Sequence, residues 1–311
     1  MVKRPFRFGL QLAQPFPGMD WIATAKRVED MGFSTLLMPD HFEDQLAPVP
    51  ALAAAAAATT TLRVGALVFG NDYRHPVVLA KEMATLDVVS GGRMEFGIGA
   101  GWMRTDYDGA GMIYDRPGIR IDRLTESLEV VRGLWGEGPL TFEGRHYRID
   151  GLDGLPKPVQ DHPKILIGGG GKRMLSLAAR HADIVGVTAN LAGGAVDEDA
   201  IADSAPERYD QKIDWIREAA GDRFDELELS SLSLSLSITD DRDTMLAGVA
   251  ELFGMPVEDV AQTPAILVGS VEEICETLEA RRERWGFSYP VFHPDQDLDA
   301  TGAIVARLAG R

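Results

Sequence analysis

Asp40 and His41 are the residues whose types best suit acid–base chemistry. They follow the apolar run Thr35–Met38 at an abrupt change from apolar to charged residues. An imidazole exchanges protons near neutral pH, and a neighbouring carboxylate suits the same task. Adjacent residues of an extended segment face opposite ways, however, so adjacency does not imply a direct dyad. The alternative is a histidine that is hydrogen-bonded only to hold the start of a loop.

Four consecutive glycines form the second candidate site. The apolar run Ile165–Ile167 leads into Gly168, Gly169, Gly170 and Gly171, and apolar residues at helical spacing begin at Met174. A glycine turn that opens a helix offers backbone N–H groups to a phosphate, and Lys172 and Arg173 can add charge. The run matches neither the dinucleotide nor the P-loop pattern. The alternative is a tight strand-to-helix turn that binds nothing.

Two further segments carry polar or glycine residues directly after a predicted strand. Asn71, within Gly70–Pro76, is placed to recognise a ring amide, whereas Arg74 and His75 can equally cap the next helix. In the second segment, Gly99 and Gly101 allow close approach of a planar ligand. Trp102 either stacks on that ligand or closes the pocket, or it serves as a hydrophobic plug.

Several other kinds of chemistry are not indicated. His162, His181 and His293 are scattered without the spacing of metal ligands, and the serine nucleophile motif is missing. We therefore predict no metal site. A phosphate site and a glycine-lined pocket without a nucleophile favour a bound organic cofactor that performs the chemistry.

The elements that must position these residues alternate between strand and helix. We predict eight strands: Phe6–Leu12, Thr35–Met38, Leu62–Phe69, Met94–Ile98, Ile165–Ile167, Asp183–Val187, Leu227–Ile238 and Phe287–Phe292. The intervening helices include Asp20–Met31, Val49–Thr59, Pro76–Val89, Ile121–Trp135, Pro206–Ala220 and Val271–Trp285. This alternation is typical of an α/β (β/α)8 barrel, with a doubly wound sheet as the alternative. Polar residues after strands two to five favour the barrel, because its strand ends converge on one face.

Three segments between these elements are irregular. Trp102–Gly118 is long enough to predict a functional loop, and Leu140–Ile149 indicates a small hairpin. Ala192–Pro206 resembles a mobile loop over the same face, or else a solvated excursion. We expect the substrate pocket to be formed by Gln14–Met19, Trp102–Gly118 and Ala189–Ala205.

Composition limits the partners. The 311 residues carry a formal charge of −17, which argues against nucleic acid and an anionic membrane surface as partners and favours small molecules. Cys275 is the single cysteine, and no 18-residue apolar segment or leader pattern is present. We therefore expect a cytoplasmic protein with a single barrel domain over residues 1–311.

Taken together, these motifs resemble the bacterial luciferase-like family, and within it the deazaflavin (coenzyme F420)-dependent oxidoreductases of actinobacteria. The resemblance rests on Phe6–Gln11, Asp40–His41, Asn71–Pro76, Ser90–Arg93 followed by Gly97–Trp102, and Ile167–Gly171. It implies a TIM barrel with luciferase-like insertions, a cofactor at the carboxyl face of the strands and often a dimer, so we expect a homodimer.

The resemblance also implies roles for individual residues. Gly168–Gly171 and Arg173 would hold the cofactor phosphate, and the strand end around Val68–Asn71 would carry a non-prolyl cis peptide beneath the central ring. The residues implied around the cofactor ring are Phe69, Gly70, Asn71, Gly99, Gly101 and Trp102. Asp40 and His41 would lie near the reactive ring edge, with His41 bonding or protonating the substrate. Many relatives carry an acid soon after Trp102, whereas here the acid is Asp106.

Three functions follow in order of preference. The first is an F420-dependent oxidoreductase that transfers a hydride between the deazaflavin and an unidentified small organic substrate. The second is an FMNH2-dependent luciferase-like monooxygenase, with FMN in place of F420. The third is a non-catalytic flavin- or deazaflavin-binding protein.

Overall fold

The computed structural model describes residues 3–293 and 297–311. Its strands are β1 Gly9–Gln11, β2 Thr35–Met38, β3 Arg63–Ala66, β4 Phe69–Gly70, β5 Met94–Gly99, β6 Pro139–Glu143, β7 Arg148–Asp153, β8 Ile165–Gly169, β9 Ile184–Val187, β10 Glu228–Ser233, β11 Ser235–Ile238, β12 Ile266–Gly269 and β13 Phe287–Phe292. Its α-helices are α1 Trp21–Asp30, α2 Pro48–Ala58, α3 Pro76–Ser90, α4 Arg104–Ala110, α5 Pro117–Trp135, α6 Lys172–His181, α7 Glu198–Ala202, α8 Pro206–Ala220, α9 Arg242–Phe253, α10 Val257–Gln262, α11 Val271–Trp285 and α12 Leu298–Leu308.

The main sheet is a closed parallel barrel, which confirms the predicted (β/α)8 fold. Its strands follow the order β3, β2, β1, β13, β10, β9, β8 and β5, and β3 pairs with β5 to close the ring. Strand β4 continues the line of β3 and also pairs with β5. Helices surround the barrel and bury their apolar faces against it, as parallel strands covered on the outside require.

Local sequence explains why several helices begin where they do. The side chain of Asp20 accepts a hydrogen bond from Ala23 N at the start of α1, as its residue type predicts. Ser270 and Glu273 form a capping box at the start of α11. Pro76, Pro117 and Pro206 occupy the first turns of α3, α5 and α8, where a missing N–H does no harm.

Two insertions interrupt the barrel pattern. Strands β6 and β7 form an antiparallel hairpin between α5 and β8, which confirms the hairpin predicted over Leu140–Ile149. Strands β11 and β12, with α9 and α10, form a second unit between β10 and β13 that has its own small apolar cluster. Both insertions lie outside the ring of barrel strands.

The predicted single strand Leu227–Ile238 is wrong. Its first half is β10, which pairs with β9 and β13 in the barrel, whereas its second half is β11, which pairs only with β12. The break falls at Leu234, whose side chain is exposed and whose backbone N–H donates to Ala265 O. Side chains alternate between the two faces of a strand in both sheets, so the sequence pattern does not show where the chain passes from one sheet to the other.

Other predicted boundaries also differ from the structure. Of the predicted first strand Phe6–Leu12, only β1 pairs with barrel strands, whereas Phe6 forms an isolated bridge to Ala309. The long loop Trp102–Gly118 contains α4, and the segment Ala192–Pro206 contains α7. Among the described residues, no helix is both long and apolar enough to cross a membrane.

A buried ionic cluster lies at the amino end of the barrel, opposite the face expected to bind ligands. Arg7 pairs with Glu95 at 2.8 Å and with Glu228 at 2.6 Å, and its guanidinium lies 3.5 Å from the centre of the Tyr289 ring. Tyr289 donates its hydroxyl hydrogen to Glu95. The polar groups of this cluster form their hydrogen bonds with one another. We therefore assign the cluster a structural role at the amino end of the barrel.

Candidate active site

His41 contacts Asp106, a residue of α4, at the carboxyl end of the barrel. Its Nδ1 lies 2.7 Å from Oδ2 of Asp106, whose carboxyl group is almost completely buried. The same carboxyl group accepts a hydrogen bond from the Tyr73 hydroxyl at 3.0 Å and from Phe42 N at 3.1 Å. Asp106 therefore joins the loop after β2 to the turn after β4.

This arrangement fixes the orientation of the His41 ring. The neutral imidazole donates Nδ1–H to the carboxylate, which leaves the lone pair of Nε2 free to exchange a proton with a ligand. Trp102 packs edge-on against the ring, with centroids 5.6 Å apart. Burial and the neighbouring Asp106 raise the pKa of Tyr73 well above its ordinary value, so its hydroxyl stays a hydrogen-bond donor.

Asp40 faces away from His41, so the two adjacent residues do not form a dyad. Arg74 donates to both carboxyl oxygens of Asp40, at 2.6 and 3.0 Å, and Gly70 N donates to one of them at 3.0 Å. Asp40 is 4% exposed and holds the end of β4 in place. Of the two residues suggested as helix caps, His75 does cap α3 by accepting from Val77 N, whereas Arg74 does not.

Two glycines at the carboxyl ends of the neighbouring strands β5 and β8 leave space around Val68, and we call this pair the glycine floor (Gly99 and Gly168). A Cβ on Gly99 would lie 2.7 Å from a Val68 methyl group, and one on Gly168 would lie 3.5 Å from the other methyl group. The non-prolyl cis peptide implied by the family resemblance is present between Leu67 and Val68. Because Gly99 and Gly168 have no side chains, neither residue covers Val68 at the barrel mouth.

Asn71 is buried at the end of β4 with an unsatisfied acceptor. Its side-chain nitrogen lies 3.4 Å from the Tyr147 hydroxyl, a residue of the hairpin turn. Its Oδ1 has no hydrogen-bond partner among the described residues although it is fully buried. A buried acceptor without a donor is rare and indicates a missing partner. A planar ring with an N–H group would satisfy it.

The four-glycine turn has a structural reason as well as a possible ligand. A Cβ on Gly170 would lie 2.3 Å from the carbonyl of Ala189, so the turn packs directly against the segment after β9. Gly171 precedes α6 without any side-chain cap, so the first N–H groups of this helix are left for another acceptor. Arg173 pairs with Asp122 and donates to Gly118 O at the start of α5.

The segment after β5 also depends on a glycine. Gly101 has φ +76°, and a Cβ there would lie 2.0 Å from the Tyr107 hydroxyl. This residue turns the chain so that Trp102 reaches His41. Tyr114 donates to the carbonyl of Trp102, and Arg104 N donates to Gly194 O. Two of the three predicted pocket segments, Trp102–Gly118 and Ala189–Ala205, therefore touch at this face.

Three residues of this face were not among the candidates that the sequence indicated. Asp106 lies in the first turn of α4, whereas Trp102 precedes this helix, so helical spacing does not relate the two residues. Gln11 ends β1 and His293 directly follows β13, and the two side chains are hydrogen-bonded. The rule that polar residues at strand ends share one face, applied to every strand, would have found both.

The residues present fit a flat heterocyclic cofactor with a phosphate group. The glycine floor leaves room for a ring, the free oxygen of Asn71 can accept its N–H, and the uncapped start of α6 beside Arg173 can receive an anion. These features suit a deazaflavin and a flavin equally. The arrangement can therefore hold a redox cofactor next to an imidazole.

Comparisons with known proteins identify the family and support the fold. The F420-dependent glucose-6-phosphate dehydrogenase of Nakamurella multipartita is 30% identical over 256 residues, 78% of this chain and 71% of the relative. The FMNH2-dependent dimethylsulfone monooxygenase of Pseudomonas fluorescens is 31% identical over 50% of this chain and 43% of the relative. The coenzyme F420-dependent tetrahydromethanopterin reductase of Methanopyrus kandleri superposes with a TM-score of 0.77 at 21% identity, covering 98% of each chain, and supports the fold. The family model of the luciferase-like monooxygenases matches residues 4–289, and the chain therefore belongs to this family.

Proposed function

We propose that the protein is an F420-dependent oxidoreductase that moves a hydride between the deazaflavin and a small organic substrate. The observation that carries this proposal is the His41–Asp106 pair, in which Nδ1 of His41 is bonded to Asp106 and Nε2 has no partner within residues 3–293 and 297–311. When bound, F420 supplies a hydride donor or acceptor. The chain must then supply or remove only one proton, and a single oriented imidazole suits that task.

The proton step follows from the orientation of His41. In the oxidation of an alcohol, Nε2 takes the hydroxyl proton while the hydride leaves the carbon, and Asp106 stabilises the resulting imidazolium. In the reverse direction the imidazolium returns that proton to the carbonyl oxygen. Trp102, which packs edge-on against the His41 ring, provides apolar surface that limits access of water.

Cofactor binding would rest on the two glycine segments. Asn71 and the glycine floor would receive the ring, and Gly168–Gly171 with Arg173 would receive the phosphate. Gly70 and Phe69 would support the ring indirectly, since Gly70 N is held by Asp40 and the Phe69 ring lies beneath Arg74. Support for F420 over FMN comes from the dehydrogenase relative, which aligns over most of the chain.

An FMNH2-dependent monooxygenase is the second candidate, because the dimethylsulfone monooxygenase aligns over half of the chain. Titration of the purified protein with F420 and separately with FMN, followed by fluorescence, distinguishes the two. We expect tighter binding of F420. Preferential FMN binding, with oxygen consumption when FMNH2 and a substrate are present, would overturn the proposal in favour of the monooxygenase.

The phosphate site has a matched pair of variants. Arg173→Gln should weaken F420 binding severalfold, and Lys172→Gln, which removes the same charge from a neighbour that the family resemblance does not assign to the phosphate, is the matched control. Equal affinities in both variants would exclude Arg173 from the site. If the cofactor binds but His41→Ala changes no measured reaction, the protein is a non-catalytic binding protein.

The homodimer and the cytoplasmic location stay predictions that rest on the family resemblance and on composition. Light scattering of the purified protein measures the first.

A further inference from the structure

A chain of hydrogen bonds crosses the carboxyl face of the barrel between β3, β1 and β13. Gln11 Nε2 donates to the carbonyl oxygen of Leu67 at 2.6 Å, and Gln11 Oε1 lies 2.5 Å from Nε2 of His293. Gln11 is only 6% exposed, and the backbone N–H of His293 donates to Ser233 O. The backbone of His293 is therefore held by Ser233, and its ring is held by Gln11.

The Gln11 amide fixes which nitrogen of His293 carries the proton. A carbonyl oxygen only accepts, so the amide NH2 group must face Leu67 and the amide oxygen must face the imidazole. The imidazole nitrogen next to that oxygen, Nε2, must then carry a hydrogen. In the neutral ring this leaves Nδ1 as an acceptor, and Nδ1 has no partner among the described residues.

His293 is also kept neutral. Burial lowers its pKa below the ordinary value, and no described charged side chain forms an ion pair with it. A neutral imidazole with one free acceptor is suited to receive a hydrogen bond from a neutral donor. It is poorly suited to bind an anion such as a phosphate.

His293 and His41 occupy the same end of the barrel. Strands β2 and β13 flank β1, so their ends are two strand spacings apart, about 10 Å. Both residues therefore follow strand ends at the carboxyl face of the barrel, where Gln11 donates to the carbonyl of Leu67.

We propose that His293 contacts the substrate and accepts a hydrogen bond at Nδ1 from a second substrate hydroxyl group, one that does not give its proton to His41, while Gln11 is a positioning residue that sets the tautomer of His293. The proposal rests on the proposed function, since it places the substrate at this face. It assigns the substrate to the neutral hydroxylated compounds rather than to anions.

The first test is the tautomer itself, measured by NMR on protein labelled with 15N-histidine. We expect His293 to carry its hydrogen on Nε2 in the wild type and to lose this preference in Gln11→Leu. His293→Gln assigns the resonance, because its amide can still donate to Gln11 from the position of Nε2. A wild-type hydrogen on Nδ1 would overturn the proposal.

The second test uses cyclohexane-1,2-diol and its monomethyl ether, 2-methoxycyclohexanol, as probes that differ in one hydrogen-bond donor. We expect the diol to move the Nδ1 resonance of His293 and the monoether, whose one hydroxyl group can donate to His41, to leave it unchanged. His293→Asn, which keeps a polar atom near the Nδ1 position, should bind the diol better than His293→Gln by up to about tenfold, the effect of one hydrogen bond. Equal responses to the diol and the monoether, or a response of His41 alone to the diol, would overturn the contact.

Neither readout depends on the cofactor. Failure of the F420 titration with the wild-type protein would overturn the proposed function and leave the tautomer result standing. An unresponsive His293 in a protein that binds F420 tightly would overturn only this inference.

Discussion

Nδ1 of His41 lies 2.7 Å from Oδ2 of Asp106, although 65 residues separate them in the chain. One residue follows β2 and the other lies on α4, after β5. The pair exists because the carboxyl ends of parallel barrel strands meet at one face. It provides the only acid–base pairing proposed for this site and can be tested by substitution.

Asp106→Asn should lower kcat and leave F420 affinity nearly unchanged, because the amide cannot stabilise an imidazolium. His41→Ala should lower kcat by about 10²–10⁴-fold, and Asp106→Asn by a smaller factor. Asp108→Asn is the matched control, since this exposed residue of the same helix pairs only with Arg104 among the described residues. Steady-state kinetics with reduced F420 measures all three, and a wild-type kcat in Asp106→Asn would contradict the role.

Asp40→Asn should act on stability rather than on the proton step. It leaves Arg74 with a weaker partner in a largely buried position, and we expect a loss of about 3 kcal/mol in the free energy of unfolding. Adding Arg74→Met should recover part of that loss. Urea denaturation of the two single variants and the double variant measures the coupling; strictly additive losses would show that the ion pair does not act as a unit.

Gly170→Ala should destabilise the protein by about 1–3 kcal/mol, because its Cβ would overlap the backbone of Ala189 and Asn190. Gly168→Ala is the comparison, since its Cβ would make ordinary contact with Val68 at 3.5 Å. We expect this variant to fold normally but to bind F420 more weakly. Thermal unfolding and fluorescence titration separate the two effects, and identical behaviour of both variants would contradict the assignment of the glycine floor.

Glu29 predicts a pH dependence of stability. Partial burial opposes its ionisation, but hydrogen bonds from the backbone N–H groups of Thr60, Thr61 and Leu62 prevail and lower its pKa to about 2. Between pH 4.5, the ordinary pKa of a glutamate, and about pH 2, the unfolded chain binds more protons at Glu29 than the folded protein does. The stabilisation by the ionised Glu29 is therefore fully present above pH 4.5 and is lost as the pH falls towards about 2.

Glu29→Gln should therefore lower the free energy of unfolding at pH 7 by about 1–3 kcal/mol. The difference from the wild type should shrink as the pH falls below the ordinary pKa. Urea denaturation across this range measures it, with the exposed neighbour variant Asp30→Asn as control. A difference that stays constant with pH would contradict the role of the charge.

Local sequence patterns were sufficient for the barrel. Eight apolar strands alternate with helices, and capping residues such as Asp20 and Ser270 lie where the structure uses them. These features depend on neighbours within a few residues, so they can be predicted from the chain alone. The same is true of the four-glycine turn before α6, whose ligand remains a prediction.

The partners of the site side chains were decided only by the tertiary structure. Asp40 has Arg74 as its partner, His41 has Asp106, and Gln11 has His293, and in the last pair 282 residues separate the two side chains. The break at Leu234 was likewise invisible, because both sheets use the same alternation. The sequence by itself determined where most of the barrel strands end, the seventh excepted, whereas closure of the barrel decided which of those ends meet, since that depends on strand order and register rather than on distance along the chain.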